Sequence, residues 1–158
     1  SALLQLLKYY GTDVTAVCNT KNIDLIKSLG ADRIIDYVHE DFTKDHEKYD
    51  FVFDAVGKST FGQCKPLLAK DGVYISSEFG PWVQNPFLAL LTPMFGDKRV
   101  KFPLPTDIMR SILFIKGLLE TEKFSPVIDR TYPMEEISKA YEYVLKGEKT
   151  GNVILSLS

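Results

Sequence analysis

The sequence predicts an α/β fold built on a parallel sheet covered on both faces, and three observations carry that expectation. Helical and extended patterns alternate through the first half of the chain. The extended stretches are short and rich in β-branched residues. Two of them, Phe51-Val52-Phe53-Asp54 and Gly72-Val73-Tyr74-Ile75-Ser76, are near-continuous apolar runs, the pattern of strands buried on both sides.

Taken in order, Leu3, Leu4, Leu6, Leu7 and Tyr10 follow helical spacing, and Gly11 stands where a C-cap belongs. Val14-Thr15-Ala16-Val17-Cys18 reads as a strand. A second helix carries Ile23, Ile26 and Leu29 on one face and stops at Gly30. Arg33-Ile34-Ile35-Asp36 is the next strand, and residues 38–48 form a polar loop or a weak helix. Residues 60–69 suit a helix between the two apolar strands. Pro81, Pro86, Pro93, Pro103 and Pro105 interrupt the stretch from 79 to 106, leaving room for a short helix from Phe87 to Phe95 and a strand from Arg99 to Phe102. Thr106 can N-cap a long helix with Ile108, Ile112, Ile115 and Leu119 along one face. Met134, Ile137, Tyr141, Val144 and Leu145 mark a last helix ending at Gly147, and residues 152–157 a closing strand. No repeat or linker divides the chain, so residues 1–158 are expected to form one domain.

Composition narrows the classes of function. Apolar residues make up 45% and charged residues 25%, an ordinary globular balance. A net charge of −2 supplies no electrostatic attraction for nucleic acid or an anionic membrane. The apolar stretches are too short to span a bilayer, and no secretion signal is visible. Two isolated cysteines, Cys18 and Cys64, make neither a disulfide framework nor a metal knuckle, which points to a cytoplasmic protein with reduced thiols.

Four segments carry a family resemblance: Val14 through Asn22, Leu29 through Tyr37, Tyr49 through Gly57, and the ending from Pro126-Val127-Ile128-Asp129 to Gly151-Asn152-Val153-Ile154-Leu155. In order and spacing they resemble the C-terminal cofactor domain of the medium-chain dehydrogenase/reductase superfamily, in its zinc-independent quinone oxidoreductase (zeta-crystallin-like) branch. The resemblance implies a doubly wound, Rossmann-like sheet and hydride transfer from NADP(H) to a quinone, enone or similar carbonyl acceptor. The family's glycine-rich turn and first strand have no counterpart here, since Ser1 falls inside the helix that should come after that turn. The expectation is therefore a fragment of a longer enzyme, inactive alone, with a gap in its sheet between the strands at Val14 and Phe51. Residues 79–105 match no family motif.

The candidate cofactor residues lie after strands. Asn19, Thr20 and Lys21 stand where an NAD enzyme usually presents a carboxylate to the adenosine ribose, and the first acid here is Asp24, already in the helix. Small polar groups and a lysine suit a 2′-phosphate instead, though Asn19 and Thr20 can equally cap the helix. The resemblance assigns Tyr37 to the adenosine phosphate end. It assigns Ala55, Val56 and Gly57 to the nicotinamide ribose, where a glycine lets backbone approach closely. Ser76 and Ser77 end the next strand, on the edge where α/β sheets bind ligands.

His39 and His46 sit among acids in a polar loop whose loose spacing reads as solvated rather than metal-binding. No nucleophile–base set declares itself, so no catalytic residue is assigned. Two rivals remain. One is a non-catalytic Rossmann-like module, with a homodimer through the Arg99 to Phe102 edge strand that the resemblance implies. The other is an S-adenosylmethionine-dependent methyltransferase, which would want an acid after the second strand.

Overall fold

The computed structural model describes residues 1–94, 96–104, 106–147 and 149–157. The expected helix end at Phe95 and the break at Pro105 lie outside the described residues. The described chain clusters into two compact units, Ser1–Glu40 with Met109–Ser158 and Asp41–Ile108.

In the first unit, helix α1 (Ala2–Tyr9) ends on Gly11, whose φ of 73° permits the reversal. Strand β1 (Thr15–Cys18) comes next, then helix α2 (Ile23–Ser28) and strand β2 (Arg33–Asp36), which pairs parallel with β1. Asp32 fastens the return of the chain, accepting from the Val14 backbone N–H at 2.7 Å and from Lys8 Nζ at 2.8 Å. Gln5 and Ser125 exchange a pair of 2.9 Å bonds, joining α1 to the segment after helix α5 (Ile108–Glu120). Strand β6 (Ile128–Pro133), helix α6 (Ile137–Leu145) and strand β7 (Asn152–Ser156) form a second parallel unit. A side chain at Gly151 would strike the Val127 carbonyl oxygen, 2.5 Å from its Cβ position, so only glycine passes there.

The second unit contains strand β3 (Tyr49–Asp54), helix α3 (Phe61–Cys64), strand β4 (Leu68–Ser76), helix α4 (Gln84–Leu91) and strand β5 (Arg99–Lys101). Its parallel sheet has the order β3-β4-β5. Phe61, Cys64, Leu68, Tyr74 and Val100 form its core.

All the strand pairs among the described residues are parallel, as the apolar runs predict, and they form three separate ladders, β1-β2, β3-β4-β5 and β6-β7. Several local expectations are corrected. The 60–69 helix is four residues of α-helix, started by a reciprocal Thr60–Gln63 cap and stopped by Pro66. Strand β4 consequently begins at Leu68 rather than Gly72. Helix α5 begins at Ile108, directly after Asp107, so Thr106 is not the residue before it. On α5 and α6 the residues buried are Leu118 and Ala140, whereas Ile108, Ile112, Tyr141 and Leu145 are exposed. Apolar spacing located those helices without identifying which side is covered. Phe51 is also exposed, so β3 is not buried on both faces.

Candidate functional site

The sequence-selected residues gather at the C-terminal ends of parallel strands, one group in each unit. In parallel α/β sheets that edge is where loops converge to bind ligands.

In the first unit, Cys18 and Asp36 are opposite one another at the ends of β1 and β2. The Tyr37 N–H donates to the Cys18 carbonyl at 3.0 Å, which brings the loops bearing Asn19, Thr20 and Tyr37 together. Asp36 is the organising group. Its carboxylate accepts the Thr20 hydroxyl at 2.6 Å and the Val38 N–H at 3.0 Å. Chiefly the Thr20 bond, aided by the Val38 N–H, holds this carboxyl below the usual aspartate range. Neither Asn19 nor Thr20 caps a helix through its side chain. Asn19 instead leaves its buried amide oxygen without a hydrogen-bond partner. The Tyr37 ring is exposed and Lys21 is at the surface. Asn22 ties this loop to Thr150, 3.1 Å away, whose N–H donates to Asp129.

In the second unit, Asp54 and Ser76 are register partners, so the turns that leave them start from adjacent strand ends. Asp54 Oδ1 accepts from the N–H groups of Val56 and Lys58, both at 3.3 Å, and Oδ2 from Ser59 at 3.2 Å. The Tyr74 hydroxyl donates to Oδ2 at 3.0 Å. Burial pushes the Tyr74 phenol up to about 12, with the Asp54 charge adding to the effect. Gly57 adopts a φ of 66° and passes so close to Glu78 that a Cβ would lie 2.8 Å from Glu78 Cγ. Ala55, Val56 and Ser77 are exposed, whereas Ser76 is buried and its hydroxyl accepts the Glu78 N–H at 3.2 Å. Ser76 is thus a loop anchor, and Ser77 and the 55–57 turn are the accessible members.

Sequence reasoning overlooked Asp36, Asp54 and Tyr74. The available signal was an aspartate closing each strand directly before a turn, where a carboxylate can collect backbone N–H groups.

A family model described as zinc-binding dehydrogenase matches residues 29–155. The chain belongs to that family. Within it, the chain is quinone-oxidoreductase-like, in the medium-chain dehydrogenase/reductase superfamily that its four segments resemble. The quinone-oxidoreductase homolog of Spinacia oleracea, a chloroplastic protein, is 28% identical over 96% of this chain and 47% of its own length. The mitochondrial NAD(P)H oxidoreductase RTN4IP1 of Mus musculus is 27% identical over 98% of the chain and 44% of its own length. The solved quinone oxidoreductase of Coxiella burnetii superposes with a TM-score of 0.83 at 23% identity, over 99% of this chain and 49% of that one. The chain therefore spans about half the length of these relatives.

The family's name raises the question of zinc. Among the described residues, no group of three or more His, Cys, Asp or Glu side chains could hold a metal ion. Cys18 and Cys64 are both free and buried. The described donor set does not fit a zinc centre. A nicotinamide dinucleotide fits better, because the orphaned Asn19 oxygen at a strand end can accept from a ribose hydroxyl. No helix among the described residues is long and apolar enough to cross a membrane.

Proposed function

We propose that this chain is the cofactor-binding part of an NADPH-dependent oxidoreductase that passes a hydride to a quinone, enone or related carbonyl acceptor. The observation that carries the reading is the pair of aspartate-held turns at parallel strand ends, one around Asp36 and one around Asp54. The names of the relatives, quinone oxidoreductase and NAD(P)H oxidoreductase, support the same class of reaction.

The first unit takes the adenosine end. The Thr20 hydroxyl donates its hydrogen bond to Asp36, so toward a ligand it acts as an oxygen acceptor. The 2′-phosphate then rests on Lys21, the Tyr37 hydroxyl and the amide of Asn19. The second unit takes the nicotinamide end, with Ala55, Val56 and Gly57 offering backbone to the ribose and Ser77 standing at the neighbouring strand end. When bound, the reduced nicotinamide supplies the hydride. The residues of this chain hold and orient it, and none is assigned a catalytic role. Zinc plays no part in this proposal.

Replacing both Lys21→Ala and Tyr37→Phe tests the assignment. NADPH affinity should fall by about tenfold or more, as loss of charge-assisted phosphate bonds implies, with NADH affinity little changed. An unaltered preference for NADPH would show that the phosphate lies elsewhere.

We also propose a homodimer through β5, which ends the order of its sheet and so leaves one backbone edge without a strand partner among the described residues. A strict monomer by light scattering would remove this proposal. The cytoplasmic compartment rests on the two free cysteines alone, and the relatives named above are chloroplastic and mitochondrial.

A further inference from the structure

We propose that the Tyr74 hydroxyl and the Asp54 carboxylate are a positioning pair, which pre-forms the turn at residues 55–59 in the shape that receives the nicotinamide ribose. The inference rests on the cofactor reading above and adds to it two residues that touch no ligand.

The turn itself has little to hold it. Ala55, Val56, Gly57 and Lys58 are exposed, and Val56 reaches 70% of full exposure. Left to itself such a segment would sample many backbone states, and each state lost on binding would weaken the complex. Beneath it, however, lies a closed polar scaffold. Asp54 is 7% exposed and Tyr74 is wholly buried. The carboxylate collects the N–H groups of Val56, Lys58 and Ser59, and so dictates where three peptide planes of the turn point. Tyr74 fixes the carboxylate. Its hydroxyl lies 3.0 Å from Asp54 Oδ2 and 3.2 Å from the Ser59 carbonyl, bracing the start and the end of the turn at once.

The tyrosine is held in its turn. Strand pairing sets it opposite Val52, and its ring packs 6.0 Å from that of Phe61. A carboxylate and a phenol removed from water cost stability unless their bonds are complete. Here those bonds tie the buried middle of β4 to the end of β3 and to the exposed turn beyond it. Gly57 completes the device, since its positive φ lets the turn lie against Glu78 without a Cβ in the way.

Tyr74→Phe keeps the ring and removes only the hydroxyl, and Asp54→Asn keeps the shape and removes the charge. The experiment uses the full chain and measures two quantities. The first is amide hydrogen exchange at Val56, Lys58 and Ser59. The second is affinity for NADPH and NADH beside 2′,5′-ADP and 5′-AMP, the halves that lack nicotinamide. For Tyr74→Phe, exchange at the three amides should quicken about fivefold, the worth of one net hydrogen bond. Dinucleotide affinity should fall by a similar factor, while the half-ligands bind as before. Asp54→Asn should move both readouts further in the same direction, and it serves alone should the tyrosine variant fail to fold. Unchanged exchange, or an equal loss of dinucleotide and half-ligand, would overturn the proposal. A wild-type chain that binds the half-ligands but gains nothing from the nicotinamide would overturn it together with the nicotinamide assignment. Failure to bind any of the four would instead discard the cofactor reading on which it stands.

Discussion

Asp36 and Asp54 occupy equivalent places in two different units, each closing a parallel strand and each answering the turn beyond it, yet they are built to different standards. Asp36 meets one side-chain hydroxyl and one backbone N–H, and His39 Nε2 stands 3.9 Å away. Asp54 meets three backbone N–H groups and a phenol that is entirely out of water. The contrast teaches that one residue type at one strand position can do two jobs. At the first site it holds a side-chain hydroxyl beside one backbone N–H, and at the second it fixes a stretch of backbone.

The largest expected difference is in stability. Asp54→Ala removes the acceptor shared by three turn N–H groups and the buried Tyr74 hydroxyl, and should cost about 3 kcal/mol. Asp36→Ala should cost clearly less, because its partners can turn to water. Urea denaturation of both variants decides this, and equal losses would erase the distinction. Next in size is Gly57→Ala, which forces an L-residue to a φ of 66° beside Glu78. A penalty of about 1–2 kcal/mol is expected from the left-handed backbone. A neutral result would mean that the turn relaxes easily and is not held as described.

The smallest effect is a dependence on pH at the Asp36 site. The folded pKa of Asp36 lies below its ordinary value of 3.8. The carboxylate therefore contributes stability that is complete above that value and is lost as pH falls through the lower folded one. Asp36→Asn should flatten the acid limb of stability below about pH 4, where the unperturbed aspartate pKa lies. A limb of unchanged slope would show that Asp32, Asp41 and Asp129, all also held low by accepted hydrogen bonds, account for it.

The parallel strands are legible in the sequence because β-branched runs such as Thr15–Cys18 and Arg33–Asp36 report directly on pleated, buried backbone. The strand-end loops are legible too, since turn residues and Gly57 come immediately after the runs. Strand β6 is not visible as a strand, although its first residues belong to a recognised segment. Asp129 and Arg130 interrupt its apolar pattern, and its pairing with β7 is what shows it to be a strand. The covered faces of α5 and α6 differ from expectation because periodicity marks an apolar stripe but not the neighbour that covers it. Asp36 and Asp54 are inconspicuous for a related reason. An aspartate before a turn looks like any other polar residue until the N–H groups it gathers are located in space. Tyr74 is hidden further still, inside an apolar strand, where nothing local announces a hydroxyl aimed at a carboxylate 20 residues earlier.

The most direct test of the central claim is a titration of the chain with NADPH and with NADH, followed by nicotinamide fluorescence. The account predicts saturable binding with NADPH held more tightly, and an emission change that reports the nicotinamide ring leaving water. Absence of binding by either dinucleotide, from a chain shown to be folded, would contradict it.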